Sequence, residues 1–258
     1  MTRTLLCLSA LIIVATLPAQ PPTPAPPQRG AVLILGATAH LGNGQVLPNS
    51  AIAFENGKLT LVADAATIRL DRSKFAKIFD ATGKHVYPGF IATNSRLGLV
   101  EVEAVRATQD FSEIGAYNPN ARSIIAYNTD SDIQPTVRSN GVLLAQVVPS
   151  GGVISGTSSV VQLDAWNWED ASLRTDDGVH LNWPTPQPRR RFGPPGRTPD
   201  QEPEGNAYDK NVEQIRRFFE EARAYCQNAA PETKNPRFEA MCGIFTGKQN
   251  LYIHTDNA

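Results

Sequence analysis

Asp164, Glu169 and Asp170 crowd together with Trp166 and Trp168. Carboxylates held this close can divide acid and base work when their surroundings push their pKa values apart. The same residues also suit a capped helix start with tryptophans along a rim, and that reading is preferred here. Ser150-Gly151-Gly152 and Ile154-Ser155-Gly156 form a glycine-rich stretch. Such a loop can cradle phosphate through its backbone N–H groups, but only with a helix N-terminus directly after it. An apolar, strand-like run over residues 158–163 follows instead, so the stretch reads as a plain connection. Arg189-Arg190-Arg191 sits among prolines without an aromatic platform or a helix, as a solvated loop would. With a formal net charge of -1 there is no basic excess to track a phosphate backbone, and nucleic acid is excluded as a partner. Cys226 and Cys242 fall at apolar positions of helical patterns. Pairing in an oxidising compartment and burial as free thiols both remain open to them.

The chain that must position these groups opens with Arg3, an apolar run over residues 5–17 and Pro18-Ala19-Gln20, the order of a secretory signal. The run falls short of the roughly 20 residues needed to span a bilayer. A signal peptide over residues 1–19, cleaved near Ala19, is therefore expected, in preference to a retained helical tether. The protein is then periplasmic or extracellular, with no stable membrane insertion after cleavage. Residues 20–30 form a Pro-rich linker: five of the seven residues 21–27 are proline, which favours polyproline II. The composition beyond, 41% hydrophobic and 19% charged, suits a chain that buries a core.

Between residues 31 and 87 short apolar runs alternate with turn residues: 31–35 before Gly36, 45–47 before Pro48-Asn49, 50–54 before Glu55-Asn56-Gly57, and 58–62. This pattern predicts a small antiparallel sheet. Asn56-Gly57 is a strong hairpin signal, because both residues tolerate the positive φ of a type I′ turn. A further strand and turn follow in Ile78-Phe79-Asp80-Ala81-Thr82-Gly83-Lys84, leading to His85-Val86-Tyr87-Pro88-Gly89-Phe90-Ile91. Beyond it, residues 101–107 and 123–128 suit loop and helix. Gly141 introduces a continuous apolar run to Val148, as a strand buried on both faces would show. Residues 184–206 are rich in proline, arginine and glycine without periodicity and read as an exposed insertion. Val212, Ile215, Phe218, Phe219, Ala222 and Tyr225 recur at helical spacing, predicting an amphipathic helix over residues 211–227 and a shorter one after Pro236.

The order of glycine-turn strand, Glu-Asn-Gly-Lys hairpin, Asp80-Ala81-Thr82-Gly83-Lys84 and Val86-Tyr87-Pro88-Gly89-Phe90-Ile91 resembles the N-terminal part of the metal-dependent amidohydrolase superfamily, especially its imidazolonepropionase-like, secreted branches. The resemblance implies an α/β fold class: a small β-sandwich segment over residues 31–87, then a (β/α)8 TIM barrel over residues 88–258, incomplete and carrying the 184–206 insertion. Residues 141–149 and 158–163 would be barrel strands two and three, with the glycine-rich loop at the catalytic face. In such enzymes the strand after Pro-Gly carries an aspartate and a His-x-His pair for metal, since residues two apart on a strand point to one side. Here those positions hold Ala92, Asn94 and Arg96. Arginine has no lone pair to give a cation and stays charged. Asn94 and Arg96 are therefore candidates for binding a substrate anion, Arg96 as a forked donor, or are what is left after loss of catalysis. Residues 250–258 resemble the strand whose terminal histidine binds metal, which makes His254 the metal-ligand candidate.

The implied activity is hydrolysis of carbon-nitrogen bonds other than peptide bonds, such as those of cyclic amides, on a small-molecule substrate. The resemblance implies a divalent metal, zinc, at one ion at most or none, because the His-x-His pair is absent. The alternative is an exported non-catalytic pseudo-enzyme that holds a small anionic ligand in the barrel mouth. Later barrel strands are not in the sequence, so the chain is expected to be a fragment or a truncated reading frame, inactive and poorly soluble as it stands. The oligomeric state and the substrate are not written in these residues.

Overall fold

The computed structural model describes residues 23–185, 205–228 and 233–255. The expected signal segment, Arg189-Arg190-Arg191 and most of the 184–206 insertion lie outside them. The chain divides into two compact units, one over residues 24–90 and the other from residue 91 on.

The first unit is built on β1 (Val32–His40), β2 (Val46–Glu55), β3 (Lys58–Asp64), β4 (Lys77–Asp80) and β5 (His85–Val86). They form one mixed sheet in the order β3-β2-β1-β4, with β5 also on β1. The expectation of an antiparallel sheet holds for β1, β2 and β3, but β4 and β5 both run parallel to β1. The Asn56-Gly57 hairpin forms as predicted, with φ of 51° and 72°. Two expected turns do not form. Gly36 continues β1 at a register shift, with φ of 78°, and a Cβ there would lie 2.5 Å from Thr82 Oγ1. Pro48 and Asn49 fall inside β2, before its pairing with β3 begins at Ser50, so the proline interrupts no ladder on that side. Leu33, Ala51 and Ala53 are fully covered, with Leu35, Leu61, Ile68 and Phe75 packed on them.

The second unit is an α/β fold whose curled sheet makes part of a barrel. The strands are β6 (Phe90–Ser95), β7 (Val142–Val147), β8 (Ile154–Gln162), β9 (Ser172–Asn182) and β10 (Asn250–His254), and the sheet runs in the order β10-β9-β8-β7-β6. β9 and β10 are parallel, but β8 is antiparallel to both β7 and β9. The expectation that residues 158–163 form a parallel barrel strand is thus corrected: they belong to a reversed strand, and β9 beyond it restores the direction of β7. Its Asp176, Asp177 and Gly178 are poor strand formers, so the pattern of residues conceals β9.

The helices are α1 (Ile133–Ser139), α2 (Trp168–Ala171), α3 (Gly205–Gln227), α4 (Pro236–Glu239) and α5 (Cys242–Phe245). The periodicity placed α3 from residue 211; the structure begins it at Gly205, where the apolar spacing is lacking. Its Ile215 and Ala222 are buried with Ile154, Val179, Leu181 and Met241, and Phe218 packs on Tyr117 and Phe238. A second core, with Leu99, Ile124, Ala145, Val147, Val161 and Leu163, lies elsewhere in the unit. Cys226 at the end of α3 and Cys242 at the start of α5 form a disulfide, settling the alternative left open by their spacing.

Candidate active site

A row of polar side chains lies on adjacent strands β7 to β10. Parallel register sets His180 of β9 beside Tyr252 of β10. Tyr252 and His254, two residues apart, share a face of their strand. The His180 ring stacks on Tyr252 at 4.8 Å and on His254 at 5.0 Å between centroids. His180 Nδ1 and His254 Nε2 are 2.8 Å apart, close enough to share one proton. Asp177, three residues before His180, would face the other way in a regular strand. A register shift along β8 and β9, with Asp176 at a φ of 52°, re-aims it.

The Asp177 carboxylate accepts from Tyr252 Oη at 2.7 Å and from Gln146 Nε2 at 2.9 Å, and pairs with Arg174 Nε at 3.1 Å. Ser158 Oγ, fully buried, donates to the Gly178 carbonyl. The row therefore spans Gln146, Ser158, Asp177, His180, Tyr252 and His254. Gly178 makes room for it: a Cβ there would lie 2.4 Å from the Tyr252 ring.

Burial decides the charge state. His180 is 1% exposed, and removal from water, with His254 close by, lowers its pKa to about 4, against the opposing pull of Asp177. It is neutral at pH 7. Burial, and then the bond to the Asp177 carboxylate, raises the Tyr252 phenol above its usual value. His180 Nε2 is buried without a hydrogen-bond partner among the described residues. An orphaned buried N–H is costlier than an orphaned lone pair. The favoured tautomer therefore has His180 Nδ1–H donating to His254 Nε2, with the bare lone pair on His180 Nε2.

The residues singled out by sequence do not gather here as a set. His254 is in the row. Asn94, exposed on β6 with a φ of 51°, reaches it through its backbone, donating N–H to Gln146 Oε1 at 3.4 Å. The Arg96 guanidinium lies over the Phe111 ring at 4.5 Å, and none of the ion pairs among the described residues includes it. The carboxylate cluster is the helix start it resembled. Asn167 caps α2 by accepting from Asp170 N–H, Asp170 accepts from Trp166 N–H, and Asp164 pairs with Arg138. Of the glycine-rich stretch, Ser150-Gly151-Gly152 is a connection as expected, but Ile154-Ser155-Gly156 is the opening of β8 itself, which corrects that part of the reading. Sequence reasoning missed His180, Asp177, Gln146 and Tyr252. Only Tyr252 carried a signal, its spacing of two from His254.

No protein-family model matches the chain. It is 28% identical over 160 residues to a dihydroorotase of Listeria monocytogenes serotype 4a (strain HCC23), an alignment covering 54% of this chain and 35% of the dihydroorotase. A dihydroorotase of Listeria innocua serovar 6a is also 28% identical, over 156 residues with the same coverage. The crystal structure of an amidohydrolase from Thermotoga maritima MSB8 superposes with a TM-score of 0.67 at 19% identity, over 86% of this chain and 57% of that one. The chain thus has the fold of an amidohydrolase, and the similarities together support the amidohydrolase superfamily. It spans about a third of the length of the curated relatives it matches.

The described residues do not complete the metal centre such a fold implies. Among them, no group of three or more His, Cys, Asp or Glu side chains is placed to hold an ion. Asp177 is engaged by three donors and His254 Nε2 faces His180 rather than an open position. Arg96 follows directly on the end of β6 at Ser95.

Proposed function

We propose that this chain belongs to a hydrolase of the amidohydrolase type that acts on carbon-nitrogen bonds other than peptide bonds, with cyclic amides as the substrate class. The observation that carries the reading is the His180–His254 pair on adjacent strand ends, beside the Asp177–Tyr252 contact, in a chain similar to dihydroorotases. Opening a cyclic amide needs water to attack the carbonyl and a proton to reach the departing nitrogen. His254 Nε2 accepts from His180, so in this tautomer the His254 proton is on Nδ1. In this reading His254 donates its Nδ1–H to the substrate carbonyl and stabilises the negative charge that develops there as water attacks. His180 is a positioning residue that holds the His254 ring. No step is routed through a metal.

The test is hydrolysis of a panel of five- and six-membered cyclic amides by the full-length protein, wild type beside His254→Ala and His180→Phe. Turnover lost by orders of magnitude in His254→Ala supports the reading. Equal turnover in both proteins, or none in wild type, overturns it. Elemental analysis of wild type beside His254→Ala is expected to find at most one divalent metal that is lost with His254; two lost together would overturn the reading of Arg96 as replacing a ligand.

A second reading, an exported non-catalytic protein that binds a small anionic ligand, is favoured by Arg96. It is exposed, and no carboxylate among the described residues neutralises it. Saturable binding of a dicarboxylate, lost in Arg96→Ala and unaccompanied by turnover, would select this reading.

A further inference from the structure

A second pair of imidazoles lies in the first unit, on β1 and β5. β5 runs parallel to β1 with Thr38 opposite His85. His40 follows two residues along β1 and Tyr87 two residues along from His85, so His40, His85 and Tyr87 share one face. Their rings form a stack: His40 and Tyr87 centroids are 4.3 Å apart at 8° between planes, and His40 and His85 are 5.3 Å apart. The stack is anchored by Thr38 N–H donating to the Lys84 carbonyl, and by the turn that Lys84 N–H closes on the Ala81 carbonyl. Within it His40 Nε2 and His85 Nδ1 stand 3.0 Å apart.

That separation is informative. A late first-row divalent metal binds imidazole nitrogen at roughly 2.0 to 2.1 Å, so two nitrogens in adjacent positions of one ion lie roughly 2.9 to 3.4 Å apart. The nitrogens already have this spacing, and both rings reach solvent: His85 is exposed and His40 half-buried. We propose that His40 and His85 form a two-histidine site for a divalent late transition metal, Cu2+ ahead of Ni2+ and Zn2+, with solvent or a small donor filling the remaining positions. Imidazole nitrogen suits these ions, and Cu2+ leads the affinity order for such ligands. To bind, His40 carries its proton on Nδ1 and His85 on Nε2, each facing nitrogen offering a lone pair. Without metal, one of the facing nitrogens holds the shared proton. Binding moves that proton to the far nitrogen of its own ring, so the neutral pair takes the ion with no net release of a proton. Tyr87, flat against His40, fixes the plane of that ring.

The experiment is Cu2+ titration of the full chain near pH 7.5, by calorimetry and by electron paramagnetic resonance. Wild type is compared with His40→Ala, with His85→Ala, and with a His180→Ala/His254→Ala double variant. The expected result is one Cu2+ per chain with hyperfine coupling to two imidazole nitrogens. Affinity falls about tenfold or more in either single variant and is unchanged in the double variant. Since both single changes are at the surface of one sheet, circular dichroism should match wild type. Absence of stoichiometric Cu2+ in wild type, unchanged affinity in His85→Ala, or loss that follows His180 and His254 instead would each overturn the proposal.

Discussion

His180 shows how burial alone sets a side chain's chemistry. A histidine with its folded pKa near 4 binds fewer protons than the unfolded chain, in which the ordinary value is 6.5. Stability therefore rises with pH across that window: it is fully present above about 6.5 and is lost as pH falls toward 4. The loss amounts to on the order of 3 kcal/mol. Thermal melts of wild type and His180→Phe between pH 7.5 and 4.5 should diverge, wild type losing more as acid is added. Parallel pH profiles for the two proteins would show that His180 titrates normally. Gly178 is the companion case. A methyl at that position meets the Tyr252 ring at 2.4 Å. Gly178→Ala is expected to cost about 1 to 3 kcal/mol and to loosen the ring that stacks on His180. An unchanged melting temperature would mean that Tyr252 moves aside without penalty. Neither residue announced itself in the sequence, since a histidine between Val179 and Leu181 reads as an interruption in a strand.

Elements were legible where local chemistry dictates them. Asn56-Gly57 gave its turn, the carboxylate cluster gave a capped helix start although the capping residue, Asn167, was not singled out, and the apolar spacing of α3 gave its buried face. What the pattern of residues does not carry is strand direction. Residues 158–163 are apolar whether their neighbours run with or against them, and only the hydrogen-bond ladder shows that β8 is reversed. Thiol pairing was equally hidden, because it depends on α3 and α5 bringing Cys226 and Cys242 to a Cα separation of 5.4 Å. Removing the bridge with Cys226→Ser and Cys242→Ser together should lower stability by about 3 kcal/mol, from the chain entropy of a loop of this size. Differential scanning calorimetry of the variant against the oxidised protein measures it, and equal transitions would show that the bridge restrains nothing.

At the scale of the whole molecule, the two units hold contrasting histidine pairs, one buried against Tyr252 and one at the surface against Tyr87. The second unit also presents open strand edges among the described residues. β10 is an outermost strand, with Ile253 54% exposed, and β6 bounds the other side with exposed Ile91. Such edges template association with another chain. Ile253→Lys is expected to raise the concentration at which light scattering first reports association, and an unchanged onset would place the sticky surface elsewhere. The reversal of β8 has a further consequence, in time rather than in space. Because β8 turns back, β7, β8 and β9 form a meander of near-sequence pairings that closes quickly. β10 comes after α3, α4 and α5 in the chain before it can lie parallel to β9, and such distant pairings form late. In pulse-labelled refolding, the amide of Val161 should gain protection before that of Tyr252, and simultaneous protection would contradict this order. The imidazoles of His180 and His254 therefore meet only at the end, so the site is assembled by the last strand to arrive.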